Sequence, residues 1–111
     1  MAKNIVIRGT TPTHIFPAVP FLSEHIKQVY ITYFQNGSEL FTKTKDDCTF
    51  ENEESMDTCD ISVTLSQEET LSFSTGRAAL QMRILDINGS AYASEEQQFE
   101  VQRVIHDGRI Q

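Results

Sequence analysis

Two Asn-Gly dipeptides, Asn36-Gly37 and Asn88-Gly89, each sit between runs of strand-forming residues. No other feature restricts the fold as much, because a tight hairpin turn needs positive φ at its central residues and Asn-Gly supplies it readily. The first pair joins QVYITYFQ to SELFTKT, and the second repeats the arrangement within ALQMRILDINGSAYASEEQQFEVQRV. RGTT after Arg8, the prolines at 17 and 20, and Asp107-Gly108 add further turn signals. Between them lie about seven short strands, with turns roughly every 8–12 residues and no helical pattern of useful length.

That spacing, over one domain spanning residues 1–111, predicts an all-β fold: an immunoglobulin-like antiparallel β-sandwich. The chain has no Trp, so the Cys…Trp…Cys hallmark of antibody domains is absent and the reading concerns architecture, not kinship. In NIVIR, Ile5 and Ile7 share one side; THIF forms a second run that Pro17 and Pro20 interrupt. FLSEHIKQ is read as a turn of helix or as a crossing between sheets. Ile61, Val63 and Leu65 alternate as a half-buried strand. Ser66 and Glu69 then fit a capping box, which predicts one short helical turn near Ser66–Leu71. Glu68 and Glu69 would point about 100° apart on that turn, so they read as capping residues and not as a catalytic couple.

Composition narrows the function. A hydrophobic fraction of 39% and a charged fraction of 23% are those of a globular chain. The formal charge of −7 opposes a phosphate-tracking role, so no nucleic-acid partner is expected. No apolar run reaches the ~18 residues of a membrane span, and no membrane partner is expected. MAKNIVIRGTTPTH lacks the apolar stretch of a secretory signal, which predicts a chain made and kept in the cytoplasm or assembled there.

Cys48 and Cys59 flank the acidic FENEESMDT, the natural place for a mobile loop or a short edge strand near CTFEN. Their spacing matches no zinc or redox pattern; a disulfide and reduced thiols are both conceivable, and thiols are expected in a cytosolic chain. His14, His25 and His106 lie in separate segments without ligand spacing. No metal or cofactor is expected. There is no Gly-rich phosphate loop and no GxSxG elbow, so no catalytic residue is assigned and the chain reads as a non-enzyme.

Strand VYITYF carries aromatics on both faces. Val29, Ile31 and Tyr33, with Leu40 opposite Tyr33, make the better core set. Tyr30, Phe34 and Phe41 would then form an outward patch, and together with Ile110 they are the interface candidates. The alternative is that the C-terminal tail or the segment 17–26 covers those rings.

The motifs IVIRGTTPTHIF, VYITYFQNG with LFTKT, ISVTLSQEETLSF, LQMRILDINGSAYAS and VQRVIHDGRI follow one another over nearly the whole chain. In that order they resemble a family of small, largely uncharacterised proteins of tailed bacteriophages and prophages of gut bacteria. The family is similar to the immunoglobulin-like N-terminal domains of phage upper baseplate proteins. The sequence departs from the family with NGS in place of the usual DG turn and with the cysteine-bracketed acidic insertion. The resemblance implies a non-catalytic structural protein of the virion, in tail, neck or baseplate, partnered by copies of itself and by neighbouring virion proteins. A second reading is a carbohydrate- or receptor-binding sandwich module, which needs a groove with Tyr30 or Tyr92 exposed beside Asn, Asp or Gln donors. An enzyme would need one of the three histidines within reach of a nucleophile or carboxylate.

Overall fold

A computed structural model describes residues 4–111. Three short 3₁₀ turns lie between strands, at Ser23–His25 (within FLSEHIKQ), Lys45–Asp47 and Glu54–Met56. Nine strands and one α-helical turn follow one another among the described residues. They are β1 (Ile5–Ile7), β2 (Thr13–Val19), β3 (Ile26–Gln35), β4 (Ser38–Thr44), β5 (Cys48–Glu53), β6 (Thr58–Thr64), α1 (Gln67–Leu71), β7 (Gly76–Asp86), β8 (Ala91–Ala93) and β9 (Gln97–Gln102). The larger sheet has the order β1-β9-β7-β3-β4, with β8 also on β7; the smaller is β2-β6-β5. This is an immunoglobulin-like sandwich, its three-stranded layer facing a layer built on β9-β7-β3-β4. Every strand pair is antiparallel except β1 with β9, which is parallel, so the larger sheet is mixed and not purely antiparallel as expected.

The first turn forms as its dipeptide dictates. Asn36 and Gly37 take φ of +54° and +80°, and Gln35 pairs directly with Ser38. The second Asn-Gly closes differently. Asp86 N–H donates to the Ser90 carbonyl and Gly89 N–H to the Asp86 carbonyl, so the loop holds Ile87, Asn88 and Gly89, with only Gly89 at positive φ. The Asp86 carboxylate draws it into that form by accepting from the amides of Asn88 (2.9 Å) and Ser90 (2.7 Å). In β2 the register slips between Phe16 and Val19, where Pro17 cannot donate and Ala18 sits at φ +51°.

One irregularity reorients a whole strand. Tyr33 pairs with Phe41 but Phe34 pairs with Glu39, so Leu40 is the extra residue of a β-bulge. Leu40 is turned to solvent, and Phe41 packs against the core with its ring stacked on Tyr33 at 4.8 Å. The expected places of Leu40 and Phe41 are thus exchanged: Phe41 is a core ring and no interface candidate. Val29, Ile31 and Tyr33 are fully buried as the alternation required. They meet Phe16, Ile61, Val63, Leu65, Phe73, Leu80, Met82, Ile84, Phe99 and Val101 in one hydrophobic cluster between the sheets.

The helical turn is α1, capped by Ser66. Glu69 N–H donates to Ser66 Oγ (3.1 Å) while Ser66 N–H donates to Glu69 Oε1 (2.8 Å), both halves of the capping box. Lys43, brought inward by the bulge, reaches both Glu69 oxygens at 2.8 Å. Burial alone would raise the Glu69 carboxyl, but Lys43 and Ser66 hold it below its ordinary value. At the other end, Arg8 donates to the carbonyls of Leu71 (2.9 Å) and Phe73 (2.8 Å), and Thr70 Oγ1 to that of Thr10 (2.8 Å). RGTT and QEETL, far apart in sequence, are therefore one docked unit. Ser66→Ala is expected to cost about 1 kcal/mol in urea unfolding; an unchanged midpoint would show that the cap carries no weight.

Candidate interaction face

Strand alternation decides which side chains leave the core, and sheet order decides which of them meet. On the outer face of the larger sheet, β3 presents Tyr30, Thr32 and Phe34, and β7 presents Arg77, Ala79, Gln81, Arg83 and Leu85. Their register places Tyr30 beside Arg83, Thr32 beside Gln81 and Phe34 beside Ala79. Glu39 pairs with Phe34 from β4, and Ala91 and Ala93 of β8 pair with Leu85 and Arg83. Across β9, at the far edge, Ile5 and Ile7 also face outward while Val6 enters the core. Tyr30 and Phe34 are 48% and 42% exposed, so neither the tail nor the 17–26 segment covers them.

Two shallow depressions run along this face. One of ≈ 280 Å³ lies between Phe34, Glu39, Gln81, Arg83 and Glu96. The other, of ≈ 200 Å³, continues past Ala79 to Arg77 and Gln98 and shares Phe34 and Glu96 with the first. Ala79 gives the floor, Phe34 a wall, and the four charged residues the rim. Arg77 and Arg83 balance Glu39 and Glu96 in sign, and none of the four is in an ion pair among the described residues.

Ile110 is elsewhere. It is 70% exposed, but its N–H donates to Gln67 Oε1 (2.8 Å) and its carbonyl accepts from Gln67 Nε2 (3.3 Å). With Arg109 on Glu68 (2.7 Å) and Asp107 on Arg8 (3.2 Å), the tail is laid along α1. It does not join the aromatic face. Of the four interface candidates, the structure brings together Tyr30 and Phe34 alone. Arg77, Arg83, Glu39 and Glu96 were not singled out from sequence, because alternation shows that a side chain points outward but not what stands beside it.

The polar groups inside the sandwich are arranged for structure. His14 Nδ1 lies 2.6 Å from the Tyr33 hydroxyl, a bond that links the two sheets. Burial lowers the His14 pKa, and it raises that of Tyr33, with the nearby Glu69 and Cys48 adding to the effect. The neighbour of His14 is thus a fully protonated phenol, neither a carboxylate nor an activated nucleophile. Cys48 and Cys59 are free thiols; burial pushes Cys48 up to about 11, and Cys59 is also raised by burial. β5 fills the place foreseen for an edge strand near CTFEN. Among the described residues no group of three or more His, Cys, Asp or Glu is arranged to hold a metal ion. Tyr92 turns inward against Phe21 (5.9 Å, edge-on) and lines a separate cleft of ≈ 260 Å³ with Ser94 and Gln97, while Tyr30 lines none of the clefts described.

No family model matches the chain, and no curated protein matches it. Among the solved structures that do match is the crystal structure of CopC from Methylosinus trichosporium OB3b. It is 11% identical, the alignment covers 99% of this chain and 91% of that one, and the TM-score is 0.49. The structure so matched is CopC and not a phage tail, neck or baseplate component. The virion role implied by the sequence resemblance is corrected accordingly: no family model and no curated protein supports it, and it is not retained.

Proposed function

We propose that this protein is a non-catalytic association module in which the outer face of the larger sheet docks against the same face of a second copy. The observation that carries the reading is the presence of Tyr30, Phe34 and Leu85, each more than a third exposed, on one sheet face. Apolar side chains so grouped, with Tyr and Arg among them, have the composition of an interface centre. The rim argues for the occupant. A face of one sign would repel its own copy, whereas Arg77 and Arg83 set against Glu39 and Glu96 complement themselves under a two-fold axis.

Size sets the strength. Five strands at ~4.8 Å spacing, each contributing about seven residues of ~3.3 Å, offer a footprint of roughly 550 Å². A standard interface buries about 800 Å² per partner, so association is expected to be weak and concentration-dependent. Sedimentation equilibrium on the full chain is expected to show dimer growing in between about 10 µM and 1 mM. Tyr30→Glu with Phe34→Glu should weaken that at least about tenfold while leaving the circular dichroism spectrum intact. A parent that stays monomeric at about 1 mM, or a doubly changed chain that dimerises equally well, would refute the proposal.

A further inference from the structure

We infer that a second site, at the end of the sandwich opposite α1, binds a guanidinium or ammonium group carried on a short aliphatic stem. Three connections converge there: Pro20–His25 between β2 and β3, Asp57 ahead of β6, and Asp86–Asn88 after β7. They line a cleft of ≈ 430 Å³, within the range of small-molecule sites. Its apolar lining comes from Pro20, Phe21, Leu22 and Ile87; its polar lining comes from His25, Asp57, Asp86 and Asn88. Ile87, at 56% exposed, is held out over the cleft by the hairpin loop.

The two aspartates give the site its charge preference. Asp86 is only 9% exposed. Its Oδ1 is fixed by the amides of Asn88 and Ser90, while Oδ2 has no hydrogen bond among the described residues. Among the described residues no buried side-chain oxygen lacks a partner, so Oδ2 keeps access to solvent, on a residue that lines the cleft. It is an acceptor fixed by the fold and left unused. Asp57, the left-handed cap of the turn Glu54–Met56, lines the same space, and its carboxylate has no hydrogen bond among the described residues. No Lys or Arg lines the cleft to neutralise the pair. A planar guanidinium can take two carboxylate oxygens through parallel N–H donors while its stem lies on Phe21, Leu22 and Ile87. The same chemistry is offered by a free organic cation and by an arginine side chain of a partner protein.

The test is titration of the ¹⁵N-labelled chain with butylguanidinium, followed by amide shifts. Shifts are expected at residues 21–25, 57 and 86–89, and uncharged butylurea at the same concentration should leave them in place. Asp57→Asn and Asp86→Asn should each weaken binding about tenfold. Both changes keep the local structure. At position 57 asparagine tolerates the left-handed region, and at position 86 its carboxamide oxygen still accepts from the two amides. Tighter binding of capped arginine than of butylguanidinium would identify a partner's side chain as the source; weaker binding would identify a free cation. Equal response to butylurea, shifts confined to other residues, or full affinity in both substituted chains would overturn the inference.

Discussion

Phe41→Glu is expected to cost the fold more than about 3 kcal/mol in urea unfolding, whereas Phe34→Glu costs less than about 1 kcal/mol. The two rings are seven positions apart on one hairpin and would share a face if its strands paired without irregularity. The bulge at Leu40 separates them. Phe41 stacks on Tyr33 and leans on Phe73 at 5.8 Å, so a carboxylate there loses both contacts and enters a low-dielectric layer. Phe34 leaves the sheet toward solvent, and its replacement suffers mainly from facing Glu39 across the strand pair. Near-parental stability in Phe41→Glu would mean that the hairpin pairs in the unbulged register.

Tyr33→Phe is expected to cost about 1–2 kcal/mol, because His14 Nδ1 keeps its burial and loses its partner. The same pair sets a pH dependence. His14 has a folded-state pKa below its ordinary 6.5, so the unfolded chain takes up this proton first as pH falls. More protons on the unfolded state means that stability declines through the window beginning near 6.5 and ending at the lowered folded value. Glu69 acts lower on the scale. Its depressed carboxyl contributes stability that is present above its ordinary 4.5 and lost as pH falls through the folded value. Urea midpoints measured from pH 7 down to about pH 5 therefore isolate the histidine. His14→Gln retains an acceptor for the phenol but has no titrating ring, and should flatten that slope. A parental curve already flat over the same range would refute the assignment.

How far these features could be read from the chain depended on the distance over which they are encoded. The Asn36-Gly37 turn and the Ser66–Glu69 capping box are written in neighbouring residues, because each satisfies its backbone locally, and both form as the residues dictate. Asn88-Gly89 looked the same but was claimed by the carboxylate of Asp86, a short-range competitor that the dipeptide alone does not reveal. The bulge was illegible. Its benefit is the meeting of Lys43 with Glu69, 26 positions on, and of Phe41 with Phe73, so nothing between Gly37 and Phe41 announces it. The interaction face was half legible. Alternation identified Tyr30 and Phe34 as leaving the core, but what stands beside them rests on β3 lying beside β7, a pairing across some fifty residues. The loop-end cleft gave no sequence signal, for its three walls come from three separate connections.

The parallel alignment of β1 with β9 has a mechanical side. Their bonds, from Glu100 N–H to Asn4 and from Arg8 N–H to Gln102, lie across the direction in which the backbone leaves each strand. Tension entering at Asn4 and leaving past Gln102 drags the two strands lengthwise against each other, so the whole row strains together instead of peeling open link by link. The seam resists stretching best along the line of the pull.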